Sequence, residues 1–97
     1  MGAYPIGGGV SAPVATYKVE PIYSEEARVA KLQGEVWIRG VVDEGGIPTE
    51  LVVTQSLGMG LDEAAMEAVH QWRFKPGMRN GEPVPVKVTL SVSFHLI

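Results

Sequence analysis

The clearest pattern of hydrophobic and polar positions lies at the C-terminal end. Val86, Val88, Leu90, Val92, Phe94 and Leu96 alternate with Lys87, Thr89, Ser91, Ser93 and His95. A period of two puts all the apolar side chains on one face of an extended chain, which predicts an amphipathic strand over residues 86–96. Residues 61–72 follow a different rhythm. Leu61, Ala65, Ala68, Val69 and Trp72 recur at spacings of three and four, the signature of a helix with one buried side. Asp62, Glu63 and Glu67 load its N-terminal half, and Arg73 and Lys75 follow its end, both favourable to the helix dipole.

Two further elements precede that helix. Val36, Ile38 and Val42 alternate with Glu35, Trp37 and Arg39, and Leu51 and Val53 repeat the pattern after Asp43-Glu44-Gly45-Gly46. These positions predict a hairpin, with Pro48 at the start of the returning strand, where a missing N–H does little harm. Residues 24–32 read as a short helix. Ser24 caps it, Glu25 and Glu26 fill its first turn, Ala27 and Ala30 form a narrow apolar stripe, and Gly34 is the expected stop. Pro76-Gly77 and Asn80-Gly81 mark turns before the last strand. The order α-β-β-α-β implies an α+β fold with two helices packed on one face of a three-stranded antiparallel sheet.

Residues 1–20 stand apart. The stretch MGAYPIGGGVSAPVAT has no period and is rich in Gly, Ala and Pro, so it reads as a flexible lead-in with one extended piece near residues 16–19. Residues 21–97 then form the domain. A phosphate-loop reading of Gly7-Gly8-Gly9 fails, because no Lys-Ser/Thr follows and no strand and helix flank it.

Composition narrows the function classes. The chain has 97 residues, 45% hydrophobic and 20% charged, as expected of one globular domain with a modest core. A net charge of -3 with scattered basic residues leaves no electrostatic footprint for nucleic acid. The absence of cysteine excludes disulfides, thiolate metal sites and a cysteine nucleophile. No apolar run approaches the roughly 18–20 residues that cross a bilayer, and the N-terminus does not read as a secretion signal.

Six segments in order and spacing resemble the TonB C-terminal domain family. They are Pro21-Ile22-Tyr23, Asp43-Glu44-Gly45-Gly46-Ile47-Pro48, Ser56-Leu57-Gly58, Leu61-Asp62-Glu63-Ala64-Ala65, Trp72-Arg73-Phe74-Lys75-Pro76 and Asn80-Gly81-Glu82-Pro83-Val84. The resemblance runs from Pro21 to Leu96 and implies a periplasmic domain tethered to the inner membrane, through a Pro-rich linker and a membrane helix outside this sequence. It implies two partners: the Ton box of an outer-membrane receptor and, through that helix, a motor of the ExbB and ExbD type. It also implies that the last strand is a sheet edge, to which the Ton box adds as a further strand. The residues expected to carry this contact are Val86, Lys87, Val88, Thr89, Leu90, Ser91, Val92, Ser93, Phe94 and His95. Three positions depart from the family pattern: Ser24 where Pro often stands, Gly40 at an inward site, and Trp37 on the face opposite the helices.

Other chemistry has better local explanations. Glu67 and His70 are spaced for one metal, but no second pair accompanies them, so they read as a solvated helix face. The pairs Glu25-Glu26, Asp43-Glu44 and Asp62-Glu63 fit first turns and a hairpin tip, and no nucleophile–base motif is present, so no catalytic, cofactor or metal site is expected. Trp72 and Phe74 read as core, whereas Trp37 is either a contact residue or covered by the lead-in or a second copy. Two other roles remain open: a non-transducing interaction module of the same fold, or a module that dimerises through the terminal strand.

Overall fold

The fold, a computed structural model that describes residues 2–96, is built on a three-stranded antiparallel sheet. Its strands are β2 (Gly34–Val42), β3 (Pro48–Gln55) and β7 (Val86–Phe94), in the order β3-β2-β7. Two helices, α1 (Glu25–Val29) and α2 (Leu61–His70), complete the α+β layer expected from the pattern. Val36, Ile38, Val42, Val86, Val88, Val92 and Phe94 turn inward and are buried together with Ala27, Leu61, Ala65 and Val69. Lys87, Thr89, Ser91 and Ser93 stay exposed, as period-two alternation requires.

Helix α1 begins as expected, with Ser24 Oγ accepting the Ala27 N–H at 3.1 Å. Its end differs from the expectation. Lys31, at φ 57°, takes the left-handed position, and Leu32 N–H and Lys31 N–H bond back to Ala27 and Arg28 carbonyls. This is the Schellman pattern closed by a lysine, so Gly34 is released to open β2 instead. Helix α2 stops at His70, two residues early. Trp72 nevertheless remains in the core at 6% exposure, because the chain turns through Gln71 and keeps the indole on the same side.

Asp62 explains why α2 starts where it does. Its carboxylate accepts the Leu57 N–H at 2.9 Å, the Gly58 N–H at 3.2 Å and the Ser56 hydroxyl, tying the preceding loop to the helix N-terminus. The Asp43-Glu44-Gly45-Gly46 turn is fixed in a similar way. Asp43 accepts from Gly45 and Ile47 N–H, each at 2.9 Å. Gly46, at φ 80°, then lies so close to Phe74 that an added Cβ would sit 2.0 Å from the Phe74 carbonyl oxygen. The Phe74 N–H bonds to the Gly46 carbonyl at 3.0 Å, stapling the hairpin tip to the strand after α2.

The lead-in, read from sequence as flexible, pairs with the domain in this structure. Strand β1 (Val14–Tyr17) runs antiparallel to β4 (Arg73–Lys75), two residues earlier than expected. Val10 is buried and bridges Arg79 of β5 (Met78–Arg79), which forms a small hairpin with β6 (Glu82–Pro83) around Asn80-Gly81. Asn80 and Gly81, at φ 53° and 78°, give the turn that the dipeptide foretold.

Two stability outcomes follow. Gly46→Ala should cost about 2 kcal/mol or more in chemical denaturation, from positive φ and the carbonyl clash together, whereas Gly45→Ala should change stability by under about 0.5 kcal/mol. Burial alone would raise the Asp62 pKa, but hydrogen bonds from Ser56, Leu57 and Gly58 outweigh it and hold the carboxyl below its ordinary value. A depressed folded-state pKa gives stability that is full above the unfolded value and lost as pH falls through the folded one. Asp62→Asn should therefore be less stable than wild type at pH 7, with the gap narrowing as denaturation is repeated in acid below pH 4.

Candidate partner-binding edge

A three-stranded sheet has two edges, and here they are unlike. Strand β3 is blunted by Pro48, by Glu50 at φ 53°, and by two irregularities in its register with β2. The second irregularity is a bulge in β3, where Glu50 and Leu51 together oppose Gly40, and a Cβ on Gly40 would meet Leu51 at 2.6 Å. Strand β7 has no such interruption. All nine of its residues pair with β2, from Val86↔Val42 to Phe94↔Gly34.

Parity decides which groups of β7 face away from β2. The Lys87 N–H bonds outward to the Tyr4 carbonyl at 2.8 Å, and the Tyr4 N–H reaches the Pro85 carbonyl at 2.9 Å. In a regular strand the direction alternates, so Thr89, Ser91 and Ser93 also direct N–H and C=O outward. These three residues have no backbone partner outside the β2 ladder among the described residues. The ten candidate residues therefore divide. Val86, Val88, Leu90, Val92 and Phe94 supply the β2 ladder and the inward face, Lys87, Thr89, Ser91 and Ser93 supply the outward groups, and His95 lies just past the strand.

Beside the outward edge runs residues 18–21, and the space between is hollow. One hollow of about 180 Å³ is walled by Lys18, Glu20, Pro21 and Trp72 against Ser91 and Ser93. A second of about 170 Å³ is walled by Glu20, Pro21, Tyr23 and His95 against Ser93 and Phe94. Trp72 fixes this wall by donating its indole N–H to the Val19 carbonyl at 3.1 Å, while Lys18 Nζ sits 5.0 Å from the Trp72 ring centroid. Tyr23 meets Phe94 edge-on at 5.5 Å and donates its hydroxyl to the Leu32 carbonyl. Sequence reasoning placed Trp72 in the core and missed the wall. The signal was there, since a buried indole N–H needs an acceptor, but its acceptor lies 53 residues away.

The remaining candidates lie elsewhere. Trp37 is half-buried on the open sheet face, opposite Ser91 and Gln55. His70 is exposed on α2, and no group of three or more metal-capable side chains occurs among the described residues. No helix among them is long and apolar enough to cross a membrane.

Comparison with known proteins places this geometry. The family model described as Gram-negative bacterial TonB protein C-terminal matches residues 19–96. This chain belongs to the TonB C-terminal domain family. It is 31% identical over 80 residues to Protein TonB of Vibrio cholerae, covering 81% of this chain and 33% of that protein. It is 33% identical over 90 residues to Protein TonB of Xanthomonas campestris, covering 91% of this chain and 40% of that protein. The chain thus spans well under half the length of these curated relatives. The solution NMR structure of the Pseudomonas aeruginosa TonB C-terminal domain superposes with a TM-score of 0.68 at 21% identity, covering 93% of this chain and 89% of that one. The fold is therefore shared with that domain.

Amide hydrogen exchange tests the parity directly. Thr89, Ser91 and Ser93 should exchange much faster than Leu90 and Val92, whose N–H groups are locked to β2. Uniformly slow exchange along β7 would mean that the outward edge is already paired.

Proposed function

We propose that this domain is the partner-capturing end of a TonB-type energy transducer. It takes up the Ton box of an outer-membrane receptor as an added strand on β7. The single observation that supports this reading is the uninterrupted outward edge of β7, which offers the backbone groups of Thr89, Ser91 and Ser93 in regular alternation. Backbone pairing of this kind tolerates variation in the incoming sequence, because the main chain carries much of the affinity. Side chains of the added strand alternate, so those facing residues 18–21 enter the two hollows beside Ser91 and Ser93. Successive same-side residues are about 6.6–6.8 Å apart, a step the Ser91-to-Ser93 spacing reproduces.

In this reading the domain works in the periplasm, tethered to the inner membrane by segments outside this sequence. A motor of the ExbB and ExbD type supplies energy from the proton-motive force, and the receptor is pulled through the added strand. Strands loaded along their length share the load over all their hydrogen bonds at once, which suits a pulling contact. No catalytic group is needed for any of these steps.

A proline placed at an outward position tests the docking mode. Ser91→Pro removes one outward N–H and leaves the β2 ladder bonds of Leu90 and Val92 in place. It should keep the fold, judged by its dispersed amide spectrum, while weakening a Ton-box peptide by about tenfold or more, from a lost bond and a distorted edge. Ser91→Ala should bind as wild type. If the peptide shifts amides of another surface and leaves residues 89–93 unmoved, the edge is not the dock.

A further inference from the structure

Among the described residues of the lead-in, Tyr4 alone makes backbone hydrogen bonds to the outward edge of β7, and its contacts are specific. It forms a parallel bridge with Val86, through its N–H to the Pro85 carbonyl at 2.9 Å and its carbonyl to the Lys87 N–H at 2.8 Å. The Arg79 guanidinium lies 5.1 Å from the Tyr4 ring and donates to its hydroxyl at 3.2 Å. Arg79 is itself held by β6 and by the bridge to the buried Val10.

The pairing is also built to stop. The next residue whose N–H would face β7 is Ile6, and among the described residues it makes no backbone bond to that strand. Gly7, Gly8 and Gly9, all at positive φ, then reverse the chain, with Gly7 and Val10 exchanging both backbone bonds. A single bridge is the result, followed by the open stretch 89–93. The lead-in therefore covers the first outward position of β7 without covering the rest.

We infer that Pro85, Lys87 and Arg79 form a strand-acceptor site in their own right, filled here by the chain's own residues 3–5. A partner segment longer than the open stretch displaces them. The second statement rests on the strand-addition reading above; the first does not. The acceptor takes a parallel strand bearing an aromatic residue that reaches Arg79, because that is the chemistry Tyr4 presents. Tethering favours the internal occupant over a free peptide, and its two backbone bonds keep the advantage small enough to be overcome. Any tension entering through the N-terminal side of Tyr4 reaches this bridge before Val10 or β1. Pulling would thus lengthen the available edge.

The test uses the whole chain and two variants. Tyr4→Pro removes the donor to Pro85, and Tyr4→Ala keeps that donor but removes the ring from Arg79. In the unliganded protein the Lys87 amide should exchange slowly in wild type and about tenfold faster or more in Tyr4→Pro, with Tyr4→Ala between them. A nine-residue Ton-box peptide should bind Tyr4→Pro roughly three- to tenfold tighter than wild type, and a five-residue peptide equally well to both. If Lys87 exchanges in wild type as fast as Ser91, the acceptor site is overturned. Equal affinity of the long peptide for both proteins, with Lys87 released in the variant, overturns displacement. If neither peptide binds any variant, strand addition fails and displacement fails with it, while Lys87 protection still upholds the acceptor site.

Discussion

The nine-pair ladder between β2 and β7 is the constraint on which the rest depends. Strand β2 is bonded along both sides, so its position is fixed by two neighbours, whereas β7 is bonded on its outward side by the Tyr4 bridge at its first position alone among the described residues. Because the ladder has no irregularity, every inward side chain of β7 lies on the core face and every outward backbone group falls on an exposed residue. A one-residue slip would reverse both at once. The burial of Val86, Val92 and Phe94 thus holds the outward backbone groups of Thr89, Ser91 and Ser93 in place.

The two edges show how the same sheet invites pairing on one side and resists it on the other. Pro48, the left-handed Glu50 and the bulge opposite Gly40 spoil β3 as a template, while β7 is regular, polar on its open face and walled by residues 18–21. An exposed regular edge is an aggregation hazard unless it is managed. Here Lys87 and three small polar side chains line its face, and Tyr4 covers its first position. The start of this regular edge is thus occupied by the chain itself.

Trp72 links this edge to the helix layer. Its ring is buried beside Phe74, and its N–H reaches across to Val19, so the segment that walls the edge is held by a core residue. Packing and site are joined through one hydrogen bond. This is why the lead-in, which carries little apolar patterning of its own, lies in a defined path: β1 pairs with β4, directly after Trp72.

By itself the sequence determined the elements that periodicity can encode. The alternation from Val86 onward, the three-and-four spacing from Leu61 and the Asp43-Glu44-Gly45-Gly46 and Asn80-Gly81 turns specify strand, helix and hairpins because neighbouring residues carry the pattern. Gly40, inward with no side chain to bury, marked an irregular spot without saying whether a bulge or a close contact would account for it. What it could not specify were contacts between residues far apart. The end of α1 at Lys31, the pairing of β1 with β4, the wall built on Val19 and the bridge from Tyr4 to Val86 depend on where distant segments come to rest. Even the edge position of β7 is a matter of strand order, which local alternation leaves open. Periodicity states which face of a strand is buried; only the assembled sheet decides which side of it is left unpaired.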